Sequence, residues 1–129
     1  ARFSYKTNQW STYTTGNSGL TSNWISCLIQ SSDGAIWIGT YKAGLVKLIY
    51  DTKQWTTYGT GELSTSYINA ILETADGGIW VGTSNGLFHY LNDQWSAYNE
   101  ENSSLSNKSV NALIQSSDGA IWIGISKRS

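Results

Sequence analysis

Short apolar runs alternate with polar turn residues along the whole chain. Residues 68–98 show the unit most clearly: INAILET, a turn, GIWVGT, a second turn, LFHYL with alternating polarity, a third turn, and QWSAY. Runs of this length, rich in β-branched and aromatic residues, are typical of β-strands, and no stretch has the period of an amphipathic helix. The unit therefore predicts four antiparallel strands.

The unit recurs along the sequence. SSDGAIWIGT at 31–40 returns as TADGGIWVGT at 74–83 and SSDGAIWIGI at 116–125, and QWSTY at 9–13 returns as QWTTY at 54–58 and QWSAY at 94–98. Trp10 and Trp55 are 45 residues apart, and Trp55 and Trp95 are 40 apart, which is the length of a propeller blade. The chain is therefore predicted to be an all-β protein, a β-propeller in which each repeat supplies one four-stranded blade.

Each repeat contains an Asp-Gly pair between its first two strands. Asp33, Asp76 and Asp118 all stand directly before a glycine. Asp-Gly is a strong hairpin signal, and we expect a type I′ turn, in which both central residues have positive φ. Turn formation accounts for these carboxylates, so they are not predicted to bind calcium or to act in catalysis.

The two ends of the chain are predicted to be half blades. Residues 1–10 align without a gap onto 86–95, so the chain opens on a third strand, and it stops just after a second strand. The predicted division is a half blade with outer strands at 1–16, whole blades at 17–58 and 59–98, and a half blade with inner strands at 99–129. If a second copy followed the first, Trp122 and the next Trp10 would be 17 positions apart, against 18 and 15 within the whole blades.

Three blades do not readily close a ring, and half blades leave unpaired strand edges that natural proteins avoid. The expected partner is therefore a second copy of the chain. Two copies joined head to tail would complete each other's split blades and give six blades with two-fold symmetry. The alternative is that the chain is a piece of a larger single-chain ring.

Composition excludes several classes of function. The net charge is −1 and the eight Lys and Arg residues are scattered, so no nucleic-acid partner is expected. No apolar stretch is long enough for a membrane helix, so a membrane would be reached only through other parts of a parent protein. With a single Cys and a single His, no internal disulfide, metal site or catalytic triad can be assembled. We expect no cofactor and no enzymatic activity.

Six of the seven tryptophans occupy repeat positions, where packing between blades explains them. Trp24 is the exception. It aligns with Tyr67 and Ser109, just before an inner strand, where loops reach one face of the ring. We therefore expect Trp24 and Tyr67 to contribute to a ligand-binding face.

Neighbouring loop residues extend the predicted site. Asn23 and Lys108 precede the inner strands, while Tyr41, Lys42 and Asn85 lie on loops between second and third strands, as do residues 126–128. Loops on a rigid scaffold are frequent recognition sites, and this mixture suits a neutral or mildly anionic polar ligand such as a glycan.

Two further residues have ordinary structural explanations. His89 aligns with Lys47 and Ser4, which predicts a surface strand residue. Cys27 aligns with Ala70 and Ala112, which predicts a small, buried and inert side chain.

The repeats resemble the two-component regulator propeller family, found in sensor regions of bacterial histidine kinases and related signalling proteins. The resemblance rests on the sequences at 17–40, 63–87 and 102–125, with three copies of the core D-G-x-I-W-[IV]-G. One departure is Ile125, which stands where Thr40 and Thr83 stand. The resemblance implies a periplasmic or extracellular sensor module that binds a small ligand or a protein, often in the control of carbohydrate uptake, without catalytic machinery. The alternative is a purely structural propeller fragment that assembles into a ring without binding a small ligand.

Overall fold

All the regular secondary structure in the described part of the chain is β-strand. The computed structural model describes residues 2–21, 24–59, 66–98 and 109–125, and these contain twelve strands. They are β1 Arg2–Ser4, β2 Gln9–Ser11, β3 Ile25–Gln30, β4 Ile36–Thr40, β5 Leu45–Ile49, β6 Gln54–Tyr58, β7 Ile68–Glu73, β8 Ile79–Thr83, β9 Gly86–Leu91, β10 Gln94–Tyr98, β11 Val110–Gln115 and β12 Ile121–Ile125.

The strands form four antiparallel sheets in chain order. Strands β3 to β6 form one four-stranded sheet, the first blade, and β7 to β10 form another, the second blade. Strands β1 and β2 pair as the outer hairpin, and β11 and β12 pair as the inner hairpin. The prediction of four-stranded antiparallel blades is confirmed.

The Asp-Gly turns differ from the prediction. Gly34 has a positive φ of 89°, but Asp33 does not, so the turn is not type I′. Instead, Gly34 N donates to Ser31 O at 2.9 Å, and the glycine follows a type I turn in the left-handed conformation. The cause is local: the Asp33 carboxylate accepts hydrogen bonds from the Ser31 hydroxyl and from Ala35 N, which hold the aspartate in place.

The same arrangement recurs in the other two Asp-Gly turns. The left-handed pair that defines a type I′ turn occurs elsewhere, between β9 and β10. There Asn92 and Asp93 have φ values of 52° and 63°.

The outer hairpin has a different register from the one predicted. Four residues, 5–8, join β1 to β2, just as 50–53 join β5 to β6, whereas only two residues join β9 to β10. The first ten residues therefore correspond to 46–55 and not to 86–95. One consequence is that Arg2, rather than Ser4, occupies the position of Lys47 and His89 in the blades.

The core lies between successive blades. Trp37 is 2% exposed, and it packs in a cluster with apolar residues of the second blade, including Ile71 and Val81. A second cluster joins the second blade to the inner hairpin. The predicted packing role is confirmed for Trp37 and for the three half-buried tryptophans, Trp55, Trp80 and Trp95.

Two repeat tryptophans are exposed instead. Trp122 is 63% exposed and Trp10 is also exposed. Each lies on a two-stranded sheet, so its side chain has no complete blade on both sides. Among the described residues there is no helix that is long and apolar enough to cross a membrane.

Candidate functional site

Backbone hydrogen bonds bring the predicted loops together at the boundary of the two blades. Tyr41, after β4, donates its N–H to Trp24 O at 3.2 Å and forms an isolated antiparallel bridge with Tyr67. Ser84, after β8, donates its N–H to Tyr67 O at 3.0 Å, and its hydroxyl accepts from Tyr67 N at the same distance. The strand starts and loops of both blades therefore form one continuous line.

Three aromatic rings lie side by side along this line. The Trp24 and Tyr41 ring centroids are 6.0 Å apart, and those of Tyr41 and Tyr67 are 5.2 Å apart, both with edge-to-face geometry. This is a favourable arrangement for aromatic pairs. Trp24 is 70% exposed and both tyrosines are exposed as well. We name Trp24, Tyr41 and Tyr67 the aromatic row.

Two polar residues border the aromatic row. The Lys42 ammonium lies 5.2 Å from the centroid of the Tyr67 ring, within the range of a cation–π contact. The side-chain amide of Asn85 donates to the hydroxyl of buried Ser66 at 2.8 Å. The Lys42 ammonium thus lies over one ring of the row, while Asn85 holds the loop beside it through Ser66.

The structure brings together five of the seven predicted site residues. They are Trp24, Tyr41, Lys42, Tyr67 and Asn85. The other two, Asn23 and Lys108, lie outside the described residues, as does the loop at 126–128.

The turn carboxylates accept hydrogen bonds within their own turns. The hydrogen bond from the Ser31 hydroxyl is the main cause that holds the pKa of Asp33 below its usual value, and the hydroxyls of Thr74 and Ser116 act in the same way on Asp76 and Asp118. In the described ranges, no group of three or more His, Cys, Asp and Glu side chains is arranged to hold a metal ion.

The single cysteine and the single histidine lie at blade boundaries. Cys27 is half-buried, and burial raises the pKa of its thiol. The prediction that His89 is a surface residue is wrong. Its ring stacks on Trp80 with centroids 4.0 Å apart, and its Nε2 atom is buried without a hydrogen-bond partner.

Sequence reasoning missed an apolar cleft on the first blade. The cleft has a volume of about 630 Å³ and is lined by apolar side chains of β3, β4 and β5, with Arg2 and Tyr13 of the outer segment at its border. In the sequence, the cleft is indicated by Leu28, Ile36 and Ile38, which are apolar residues on one face of the sheet.

The chain matches one family model, described as the two component regulator propeller. The match covers residues 19–42, 62–85 and 104–127, which together make up more than half of the chain. No curated protein matches the sequence.

Solved structures with the same fold include two extracellular domains from B. thetaiotaomicron. The extracellular domain of a protein described as a hybrid two-component system is 26% identical, with a TM-score of 0.77, over 88% of this chain and 16% of that one. A second extracellular domain, described as part of a one-component system, is 19% identical with a TM-score of 0.51, over 95% of this chain and 23% of that one.

A third similar structure is an enzyme. Virginiamycin B lyase from Staphylococcus aureus is 16% identical, with a TM-score of 0.65, over 78% of this chain and 34% of the lyase. At this identity the likeness concerns the fold alone. In each of these comparisons, the chain spans about a third or less of the length of the protein it matches.

Proposed function

Because the chain belongs to the two-component regulator propeller family, we propose that it is a non-catalytic sensing module whose aromatic row binds a small polar ligand. The similar sensor structures are extracellular domains, and we propose a periplasmic or extracellular location for this module as well.

The observation that supports this proposal is the position of Tyr41 between Trp24 and Tyr67. Its ring joins an aromatic side chain of the first blade to one of the second, so the exposed apolar surface spans both blades. A ligand that lies across the row contacts both blades at once. Binding of this kind stabilises the boundary between the blades, since it favours the folded state by mass action.

The chemistry of the row favours a glycan-derived ligand. Aromatic rings supply broad apolar surface, which matches the C–H faces of pyranose rings, and hydroxyl groups at the ring edge remain available to water and to polar neighbours. Lys42 supplies a positive charge beside Tyr67, which would favour a carboxylate such as that of a uronic acid. We therefore expect neutral and mildly anionic oligosaccharides to bind.

We propose no chemical step for this module. The sequence has one His and one Cys, and the structure places His89 against Trp80 and Cys27 at the boundary between blades. Neither residue belongs to the aromatic row.

The test is a screen of neutral and uronic-acid oligosaccharides, followed by calorimetric titration of the best binder. Trp24→Ala and Tyr67→Ala are each expected to weaken binding at least tenfold, while Lys42→Ala should weaken only the anionic oligosaccharides. Tyr5→Ala is the matched control, because Tyr5 is also an exposed aromatic residue but lies on the turn of the outer hairpin.

The proposal fails if no oligosaccharide binds, or if a bound oligosaccharide is indifferent to Trp24→Ala and Tyr67→Ala. The second candidate function is contact with a protein, which the apolar cleft on the first blade favours.

A further inference from the structure

The apolar cleft is lined by side chains that are buried in the other repeats. Leu28 is 59% exposed at the cleft, but the residue at the same repeat position in the second blade, Ile71, is only 8% exposed. Leu113 of the inner hairpin is buried as well. The first blade thus leaves open a face that its counterparts cover.

The junction between the first and second blades shows how such a face is covered. Trp37 of β4 stacks on Tyr58 with ring centroids 5.6 Å apart and meets Tyr90 of the second blade at 6.1 Å. Lys47, opposite Trp37 in the sheet, places its ammonium 5.1 Å from the Trp37 ring. A β3–β4 hairpin therefore covers the face of the blade that follows it.

The junction between the second blade and the inner hairpin repeats this packing. Trp80 stacks on Tyr98 with ring centroids 6.0 Å apart. His89, opposite Trp80 in the sheet, takes the place of Lys47 and stacks on the same ring at 4.0 Å. Each junction thus pairs a tryptophan with a tyrosine and a basic residue.

Polar contacts repeat at both junctions near the inner ends of the blades. The Ser26 hydroxyl donates to Ile68 O across the first junction, and the Asn69 amide donates to Val110 O at 3.0 Å across the second. Both donors are the second residue of an inner strand, and both acceptors are the first residue of the next inner strand.

A second polar contact repeats at the turns. Glu73 accepts hydrogen bonds from Ser32 N and from its hydroxyl, each at 2.9 Å, and Gln115 accepts from Ala75 N at 3.0 Å. In both cases the donor belongs to the turn of the preceding blade.

We propose that the cleft binds the inner hairpin from a second copy of this chain. The occupant is identified by its sequence: residues 113–124 are identical to 28–39, the segment that already covers such a face once within the chain. The inner hairpin also presents exposed Ile114 and Trp122, which are the counterparts of residues that pack at the first junction.

The residues that would form each of these repeated contacts are present at the cleft and on the inner hairpin. Trp122 of the second copy takes the place of Trp37, and its tyrosine and basic partners are Tyr13 and Arg2, both of which border the cleft. By the same equivalence, Asn111 donates to Ile25 O, and Gln30 accepts from Ser117 N. Ile25 and Gln30 also line the cleft.

The strand register between the two copies follows from the register within the blades. Trp80 lies opposite His89, nine positions later in the chain, and Trp122 of one copy lies opposite Arg2 of the other. Strand β12 then pairs with β1 and completes a four-stranded blade. Because each copy offers both a hairpin and a cleft, two copies close with two-fold symmetry into six blades.

The first experiment is light scattering of the 129-residue chain over a range of concentrations. We expect a dimer with twice the mass of the 14.2 kDa chain. Leu28→Asp and Trp122→Ala should each raise the dissociation constant at least 100-fold, because one places a charge in the cleft and the other removes its main apolar occupant. Both residues are exposed in the single chain, so neither change removes a buried contact from its fold.

Tyr67→Ala is the control, since Tyr67 is an exposed residue of the aromatic row that contacts Tyr41 at the junction within the chain, away from the cleft. It is expected to leave the dimer intact while it weakens oligosaccharide binding. Failure of the assembly and failure of the proposed ligand site therefore give different results.

The second experiment tests the register by disulfide cross-linking. The double variant Arg2→Cys, Trp122→Cys, in a Cys27→Ala background and at a protein concentration above its raised dissociation constant, should form a covalent dimer on mild oxidation, because opposite residues of an antiparallel pair come within disulfide reach. The control Phe3→Cys, Trp122→Cys should not, since Phe3 faces the other side of the sheet. Cys27→Ala is a suitable background because the other repeats have alanine at this position.

A monomer at all concentrations would overturn the proposal, because it would show that a second copy does not fill the cleft. A dimer that withstands Leu28→Asp, or that cross-links equally well through Phe3, would place the interface elsewhere and would overturn it too.

Discussion

The contact between Gly78 and His89 predicts that the effect of a substitution at Gly78 on stability depends on the residue at position 89. Gly78 follows the Asp-Gly turn of the second blade, where the other two repeats have Ala35 and Ala120. A Cβ atom at Gly78 would lie 2.7 Å from His89 Nε2. That separation is well below van der Waals contact, and the ring has little room to retreat because it stacks on Trp80.

Two opposing effects set the size of the change in stability for Gly78→Ala. Replacement of glycine by alanine at a compatible backbone position stabilises a protein by about 0.4–1 kcal/mol through the unfolded chain. Overpacking of a filled site costs about 1–3 kcal/mol. With His89 present the second effect is larger, so Gly78→Ala should lower the free energy of unfolding by about 1–2 kcal/mol.

The sign should reverse when His89 is replaced by the residue of the first blade. In the His89→Lys background, the longer side chain can follow the path of Lys47, whose ammonium lies over the Trp37 ring in a repeat that has Ala35 at the position of Gly78. Gly78→Ala should then raise the free energy of unfolding by about 0.4–1 kcal/mol. The coupling between the two substitutions should be about 1.5–3 kcal/mol.

The assay is urea unfolding of the wild type, both single variants and the double variant at one fixed protein concentration. Fixed concentration matters because any self-association also contributes to the measured stability. Equal costs of Gly78→Ala in both backgrounds would refute the reasoning, and would direct attention to Asp76 and Thr74, whose oxygens lie 3.1 and 3.3 Å from the same position.

Three further predictions concern the turns and the core. Asp76 has a pKa below its usual value, so its contribution to stability should be present above about pH 4 and be lost as the pH falls through the lowered pKa; urea midpoints between pH 7 and 2 should show this loss, and Asp76→Asn should flatten it. Gly34→Ala should lower the free energy of unfolding by about 1–2 kcal/mol, because Gly34 has a φ of +89°. No neighbouring atom would clash with the added Cβ atom, so the cost comes from the backbone conformation alone, and Gly34→Asn should cost less in the same unfolding assay. Trp37→Ala should cost about 3–5 kcal/mol, whereas Trp122→Ala, measured on dilute monomer, should change the stability by less than about 0.5 kcal/mol; equal costs would contradict the assignment of Trp122 to an exposed face.

Much of the architecture could be predicted because the repeats share a period. The recurring tryptophans and turns mark the strands of each blade, and the structure has those strands in the predicted antiparallel order. The grouping of Trp24, Tyr41 and Tyr67 was also predictable, since equivalent loops of successive blades emerge side by side.

Other features depend on contacts that the repeat period does not contain. The Asp-Gly pair suits more than one turn, and the Ser31 hydroxyl and Ala35 N–H decide between them by fixing the carboxylate of Asp33. The environment of His89 depends on the strand opposite, where Trp80 lies against it. The register of the outer hairpin depends on a turn length that varies between blades.

The identity of residues 28–39 and 113–124 also bears on how the chain finds its fold. Two hairpins with the same sequence have the same intrinsic stability and the same preferred neighbours, so local energetics do not tell the chain which of them belongs beside the second blade. Loop closure does not decide either, because the contact from Ser32 to Glu73 spans 41 residues and the equivalent contact from Ser117 to Glu73 would span 44 (117 − 73). During refolding, a fraction of molecules should therefore first pack the inner hairpin against the second blade in the place of β3–β4. These molecules must release it before they reach the native arrangement, so rearrangement of the blades, rather than formation of the strands, should be the slow step.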